Sequence, residues 1–492
     1  MENYRKLIGS ITIITFSYAA SRVLGFFREI LLAKWAGVSE ATDTLDLAFI
    51  IPDFLFYLSA GGYLAITLIP IMSGKGENEL NNYFLSILYG LSIIFVLFSL
   101  LTYSFRFQFA ELLDVKSLDF FTEVFTPIIF SQVFFFIGAI LMSYQYFHDN
   151  FKYAALAPVV YNSTIILFGW LNSSSPEETI KGFAIGTLVG SVLGHFLIQI
   201  YGAKKSGLNF YFISPIYKHL KEYITISLPL ILGQSIAVVD EQLFRVFGSF
   251  LTAGSIATFR YARRIALLPV GIIAQAVGVA SYPLLSRLFQ NNKIDELVKL
   301  IKKQLSYLFL VGSSLMVISI INSEYLIGII YERGAFTNED TIRVSAVFTI
   351  ISLAIIPWSI NQILTRSYYV QHRFWFPVVT GTFVTMLSSV VLLNTAKDAE
   401  SYALVIIISL YIYCLTLLLS LKFDSKSVLN KKLMFEFFKI SLMILVIYLL
   451  CETIISLTGL LNLIVSLLVT VVVFFVSLSL LNFEYINIAK RR

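Results

Sequence analysis

Fourteen apolar stretches divide this chain of 492 residues, each long enough to cross a bilayer, which takes about 20 residues of helix. They run over residues 7–33, 45–72, 83–105, 124–147, 153–171, 180–201, 224–250, 256–282, 304–321, 341–369, 377–393, 402–421, 437–457 and 461–481. In hydrocarbon every backbone N–H and C=O must be satisfied internally, so each stretch is expected to be helical. Composition supports the same class: 58% of residues are hydrophobic and 13% charged. Soluble proteins average about 45–50% apolar and about 25% charged. The expected fold is an all-α integral membrane protein of about 14 helices.

Basic residues orient it. With an even number of spans both ends share a side, and the loops and termini of that side collect twenty-one Lys and Arg residues against six opposite. The positive-inside rule then places both termini in the cytoplasm. The net charge of +6 reads as loop charge facing anionic lipid, not as a nucleic-acid footprint. Tyr18-Ala19-Ala20-Ser21 has the look of a signal-peptide cleavage site, but the apolar run continues past it with charges inside, so cleavage is not expected. Cys414 and Cys451 both fall in apolar runs, which argues against a disulfide. His148, His195, His219 and His372 share no metal-ligand spacing, and no metal or other cofactor is expected.

Short echoes suggest an internal repeat. Ile69-Pro70-Ile71-Met72-Ser73 closes the second span and Tyr282-Pro283-Leu284-Leu285-Ser286 the eighth; Pro158-Val159-Val160 has a counterpart in Pro377-Val378-Val379. Both imply a shift of six spans, hence two pseudo-symmetric six-helix lobes. The expected divisions are residues 1–201, 202–421 and 422–492, the last holding two added helices and a cytoplasmic tail.

Ionised groups within spans concentrate in the first two helices of each lobe. The first lobe has Arg22, Arg28, Glu29, Asp43, Asp46 and Asp53; the second has Asp240, Glu241, Arg245, Arg260, Arg263 and Arg264. A charge at the bilayer centre costs roughly 2.5–3.5 kcal/mol on insertion scales, so such helices should face a wet cavity or paired groups. On an ideal helix Asp43, Asp46 and Asp53 fall within an arc of about 80°, with Pro52 able to reset it. Glu241 and Arg245 are i,i+4 in the favourable order for an ion pair, and Arg260 and Arg264 share a face. Nine of the eleven prolines lie in or beside spans, which favours bent helices whose freed backbone groups face a cavity. Six basic groups face six acidic ones, so the sign of such a cavity stays open.

Ser21-Arg22-Val23-Leu24-Gly25-Phe26-Phe27-Arg28-Glu29, Ala41-Thr42-Asp43 and Pro52-Asp53-Phe54-Leu55 resemble the MurJ (MviN) family of lipid flippases in the MOP exporter superfamily. Further matches are Tyr261-Ala262-Arg263-Arg264, Glu332-Arg333-Gly334-Ala335-Phe336-Thr337, and Arg366-Ser367-Tyr368-Tyr369 followed by Phe376-Pro377-Val378. The resemblance implies alternating-access movement of an undecaprenyl-diphosphate-linked peptidoglycan precursor from the inner to the outer leaflet of the bacterial cytoplasmic membrane. It maps the family's cavity arginines onto Arg22, Arg28 and Arg264 and its early aspartate onto Asp43. It leaves Glu29, Asp46, Asp53, Asp240, Glu241, Arg245, Arg260 and Arg263 as gate or ion-pair candidates. It also implies coupling to membrane potential or an ion gradient, in a monomer surrounded by membrane lipid. After Pro52-Asp53 the family usually has an Arg pair where this chain has Phe56 and Tyr57; Gly61 stands for an expected glutamate and Arg263 for an acidic residue. These departures keep a second substrate open, another lipid-linked oligosaccharide such as an O-antigen or exopolysaccharide unit.

Arginine suits that cargo on chemical grounds, since its planar fork matches phosphate oxygens bidentately. A membrane enzyme acting on the same lipid would need an acid–base constellation in a sizeable loop, and the longest outer loops, around 104–123 and 322–340, are short and lack His. No catalytic residue is therefore expected. Thr337-Asn338-Glu339-Asp340 reads as a helix start. The outer halves of the charged helices are mainly acidic in the first lobe and mainly basic in the second, so ion pairs between them are expected to close an outer gate.

Overall fold

The computed structural model describes residues 20–59, 63–395, 397–424, 426–454 and 459–480. Helices dominate; the one sheet among the described residues is a two-stranded hairpin. Among the described residues ten helices are long and apolar enough to cross a membrane, and Gly459–Val473 is a shorter apolar one, so the chain is a multi-pass membrane protein. The chain divides into two compact units, residues up to Ala257 with Arg333–Thr337, and Thr258–Glu332 with the residues from Asn338 onward.

The first unit opens with α1 (20–36), α2 (Glu40–Ala48), α3 (Ile50–Ser59) and α4 (Tyr63–Ser73). The second apolar stretch is thus not one continuous helix. Pro52 has no N–H to donate and its ring crowds the carbonyl four residues back, that of Ala48, which is where α2 ends. The long helices α5 (Glu77–Ser104) and α7 (Leu118–Phe147) follow, joined by the short α6 (Arg106–Leu112). Next come α8 (Lys152–Leu171) and α9 (Pro176–Gly190), which runs through a π-helical turn at Ser191–Leu197 into α10 (Ile198–Lys205). Ser175 caps α9, its Oγ accepting the Glu178 N–H at 3.2 Å, and Pro176 fills the first helical position, where no N–H is needed. The π turn lies against α7 at a glycine: a Cβ on Gly138 would sit 2.0 Å from the His195 carbonyl oxygen. Tyr83, Phe84, Phe136 and Tyr144 centre the core between α5 and α7.

Residues 207–216 carry the chain from α10 to α11 (Tyr217–Gly248) without regular structure, and α5 holds them. Asn81 exchanges two hydrogen bonds with the Asn209 backbone, at 2.9 and 3.3 Å. The Tyr89 hydroxyl donates to the Tyr211 carbonyl at 3.1 Å, and the Ile216 N–H donates to Ser86 Oγ at 2.7 Å. These polar residues recur at helical spacing on one face of α5, which satisfies backbone groups a bare connector would leave open.

Chain from α12 (Ser255–Pro269) builds most of the second unit: a π turn at Val270–Ala274, α13 (Gln275–Gln290), α14 (Ile294–Ile321), α15 (Ser323–Tyr331), α16 (Asn338–Ser352) and α17 (Ile355–Val370). Then come α18 (Trp375–Thr395), α19 (Ala399–Ser420), strands β1 (Lys422–Phe423) and β2 (Lys426–Ser427), α20 (Lys431–Ile454) and α21 (Gly459–Leu480). The tenth stretch breaks as the second does: Pro357 crowds the carbonyl of Leu353, between α16 and α17. Helix α14 is central, packing on α17 through Leu305, Leu308, Ile360 and Ile363 and on α20 through Leu310, Val317, Ile440 and Met443. Asn322 Nδ2 donates to Ser466 Oγ at 3.0 Å and ties α21 to the end of α14. Trp375, Val379, Phe383, Met386 and Val390 form an exposed stripe at three- and four-residue spacing along α18, the pattern of a face turned to lipid.

Candidate functional site

The arginines of α1 differ in setting. Arg22 is exposed, whereas the Arg28 side chain retains a quarter of its exposure. Arg28 Nη1 donates to Asn162 Oδ1 at 3.2 Å and Nη2 to Glu29 Oε1 at 3.2 Å, with Glu29 buried. Asn162 belongs to α8 and is itself held, its Nδ2 donating to the Pro158 carbonyl at 2.8 Å. It was not foreseen from the sequence because it carries no charge; the only signal is a lone amide inside an apolar stretch.

Asp43 and Asp46 of α2 are both buried. Asp43 Oδ1 accepts the main-chain N–H of Ala257 and Oδ2 that of Gly254, each at 2.7 Å. Helix α12 begins at Ser255, so Gly254 sits where an Asp or Ser would normally cap it, with φ +80 that suits glycine. Asp43 supplies the missing capping oxygen from another helix, and its charge complements the positive end of the α12 dipole. Main-chain donors at a helix terminus are thus partners of Asp43.

Asp53 of α3 meets an arginine. Arg245 Nη1, in the last turn of α11, donates to Asp53 Oδ2 at 2.6 Å and also approaches Gln242 Oε1 at 3.4 Å. The side chains of Asp240 and Glu241, the latter expected to pair with Arg245, lie outside the described residues.

The Arg333–Thr337 segment forms a tight turn against the end of α1. The Ala335 N–H donates to the Lys34 carbonyl at 2.7 Å, one of the carbonyls that the end of α1 leaves without an intrahelical partner. The approach needs two glycines in the left-handed region. A Cβ on Gly334 (φ +65) would lie 2.3 Å from the Lys34 oxygen, and one on Gly37 (φ +60) 2.5 Å from the Ala335 oxygen.

Within the second unit Arg264 is exposed on α12, Arg263 is half-buried, and the Arg260 guanidinium lies 4.5 Å from the centre of the Tyr261 ring. Arg366 of α17 donates to the Gln362 carbonyl at 2.6 Å and to its Oε1 at 2.8 Å, and spreads over Gly278, where a Cβ would lie 2.6 Å from Nη1. Each unit thus presents an exposed arginine within an apolar stretch, Arg22 on α1 and Arg264 on α12. That arrangement can receive an anion.

Comparison with known proteins identifies the family. The family model described as "Lipid II flippase MurJ" matches residues 32–478. A "Probable lipid II flippase MurJ" of Buchnera aphidicola subsp. Baizongia pistaciae is 27% identical over 433 residues, covering 83% of this chain and 81% of the relative. The "Lipid II flippase MurJ" of Thermosipho africanus is 29% identical over 400 residues, covering 77% and 78%. Among solved structures, "Lipid II flippase MurJ, inward closed conformation" superposes with a TM-score of 0.78 at 24% identity, covering 94% of this chain and 97% of that one. An inward-facing multidrug resistance MATE family transporter of the MOP superfamily shares the fold at a TM-score of 0.62 and 11% identity, over 86% and 95%. With charged helices of this kind inside that fold, and a family model spanning most of its length, the chain belongs to the lipid II flippase MurJ family.

Proposed function

We propose that this protein moves lipid II, a polyprenyl-diphosphate-linked peptidoglycan precursor, from the inner to the outer leaflet of the cytoplasmic membrane by alternating access. One observation carries the reading: Arg22 and Arg264 stand exposed, and Arg28 half-buried, on helices with no apolar reason to hold a guanidinium. Their forks would take the diphosphate across a low-dielectric region, where a charge without a partner is most costly. Asp43 holds the start of the arginine-bearing helix α12, so it acts on the headgroup site through that helix.

In this reading the two repeats are residues 1–201 and 202–421, and residues 422–492 add helices for the prenyl tail. Leu460, Leu461, Ile464, Leu468 and Val472 of α21 give such a tail an exposed apolar face. Both termini lie in the cytoplasm, and the protein works as a monomer driven by membrane potential or an ion gradient. No group is chemically transformed, so transport and not catalysis is the activity.

Depletion of the native lipid II flippase in a test bacterium, with this gene supplied, is the decisive experiment. Restored growth is the expected result. Phe56, Tyr57 and Gly61 replace polar residues usual in the family and support a second cargo, another lipid-linked oligosaccharide. A well-expressed protein that fails to restore growth but restores O-antigen export in a strain lacking that flippase would select the second.

A further inference from the structure

Arg366 differs from the other part-buried arginines of the spans in what surrounds it. Arg28 pairs with Glu29 and Arg245 with Asp53. No carboxylate pairs with Arg366 among the described residues, and the side chain acting on its charge is the Tyr369 phenol, one turn along α17. A guanidinium held half-buried in an apolar span is costly, and such groups mark substrate or ion pathways.

Two features fix where the group points. Nη1 donates twice to Gln362, to the carbonyl at 2.6 Å and to Oε1 at 2.8 Å. Gly278 of α13 lets the guanidinium lie against its backbone, since a Cβ there would be 2.6 Å from Nη1 and 2.8 Å from Cζ. The other edge of the fork is open: Nε and Nη2 make no hydrogen bond among the described residues, and neither is sealed from solvent. That edge carries two parallel N–H groups, the geometry that takes an oxyanion bidentately.

Its neighbours are polar and uncharged. Ser281, one turn beyond Gly278 on the same face of α13, accepts from Gln304 Nε2 of α14 at 2.7 Å. Gln304 Oε1 is left buried with no partner among the described residues, an acceptor that a polar guest would satisfy. The Tyr369 phenol lies near both Arg366 and Tyr282, the latter 37% exposed.

Position along the helices chooses the anion. Helix α17 ends at Val370, one turn past Arg366, and in the orientation proposed above that end faces the cytoplasm, where the precursor is loaded. Arg264 lies toward the opposite end of the same bent rod: Gly278 is fourteen residues further along α12, the π turn and α13, about 20 Å of helix. We propose that Arg366 is a loading site for the diphosphate of the lipid-linked precursor, its Nε–Nη2 edge taking two phosphate oxygens at the cytoplasmic end of the second unit before the group moves on to Arg264. This inference rests on the flippase reading and adds an inner station to it.

Native mass spectrometry of the full-length protein in mild detergent tests it, with undecaprenyl diphosphate and phosphatidylglycerol titrated in parallel. Arg366→Lys keeps the charge and loses the fork; Gly278→Ala keeps the arginine and displaces it. Thermal unfolding establishes that each variant folds, and Arg366→Lys decides alone if Gly278→Ala does not. Wild type should retain the diphosphate over phosphatidylglycerol. Each variant should weaken that retention about tenfold, the loss of one charge-assisted hydrogen bond, with phosphatidylglycerol unaffected. Undiminished retention of the diphosphate by the folded variants overturns the assignment of Arg366 and leaves the flippase reading standing. No preference for the diphosphate in wild type overturns both. Equal loss of both lipids in the variants also overturns the proposal, making Arg366 an anchor to the phosphates of surrounding lipid.

Discussion

Asp43 and Ala257 are 214 residues apart, yet the carboxylate of one accepts the main-chain N–H of the other at 2.7 Å, while its second oxygen takes Gly254. Both donors lie at the start of α12, where N–H groups have no helical acceptor. Removing the acceptor leaves two buried donors unsatisfied. Loss of a cap costs about 0.5–2 kcal/mol, and a stranded buried donor about 1–3 kcal/mol. Asp43→Ala should therefore lower the thermal unfolding midpoint and abolish transport together, with Asp43→Asn intermediate because one oxygen remains. Asp43→Arg should act most strongly, presenting a cation to the positive end of a helix. Disulfide crosslinking between cysteines at the first turns of α2 and α12 would report the loosening; an unchanged yield in Asp43→Arg would remove the capping contact as a latch.

Arg22 and Arg264 predict the opposite dissociation. Both are exposed within the protein, and exposed substitutions usually change stability by no more than about 0.5 kcal/mol. Arg22→Ala and Arg264→Ala should abolish flipping at near-normal expression and unfolding temperature. Lys replacements should rescue poorly because a point charge lacks the bidentate fork. Normal flipping by both Ala variants, followed in a leaflet-specific lipid II assay, would mean that neither touches substrate.

These two cases also mark what the sequence could reveal. Charge inside an apolar stretch is a one-dimensional signal, so Arg22, Arg28, Asp43 and Arg264 stand out without any structure. Proline breaks are equally local, since Pro52 and Pro357 point to the carbonyls four residues back, at Ala48 and Leu353. Partners are not local. Arg245 binds Asp53, 192 residues away, and helical spacing alone cannot anticipate a neighbour on another helix. Asn162 and the Ala335 N–H escaped because an uncharged amide and a backbone group leave no mark in a hydropathy pattern. The π turns at 191–197 and 270–274 depend on interhelical packing, as the close approach of Gly138 to His195 illustrates.

The Asp53–Arg245 pair gives a prediction of mutual dependence. Their side chains are 31% and 11% exposed. Stranding one member of a buried pair costs about 3–5 kcal/mol, an upper bound here because Asp53 keeps some solvent. Asp53→Ala and Arg245→Ala should each destabilise the protein by about 1–3 kcal/mol, and the double substitution by less than their sum. A double-mutant cycle on thermal unfolding measures that coupling. Strictly additive effects would reduce the pair to a contact without energetic weight.

The last prediction concerns pH at the start of α11. His219 lies in its first turn, ahead of the apolar run, with its ring 4.6 Å from that of Tyr83. Lys75 sits over the same Tyr83 ring at 4.2 Å and pairs with Glu79 at 3.5 Å and Glu222 at 3.8 Å. Burial first, and then the positive charge of Lys75, lower the His219 pKa below its ordinary value, and Lys218 acts in the same direction while Glu222 and Glu79 oppose it. The folded protein therefore holds this imidazole neutral to a lower pH than the unfolded chain, which takes up a proton near pH 6.5. Stability is unaffected well above that pH and falls as pH drops from about 6.5 toward the lower folded value, because the unfolded state then binds more protons. A positive His219 would repel Lys75 and loosen the connection from α4 to α11. His219→Gln should unfold at nearly the wild-type temperature at pH 8, and at a higher temperature than wild type at pH 5. Parallel midpoints for the two proteins across that range would show that His219 does not carry the response.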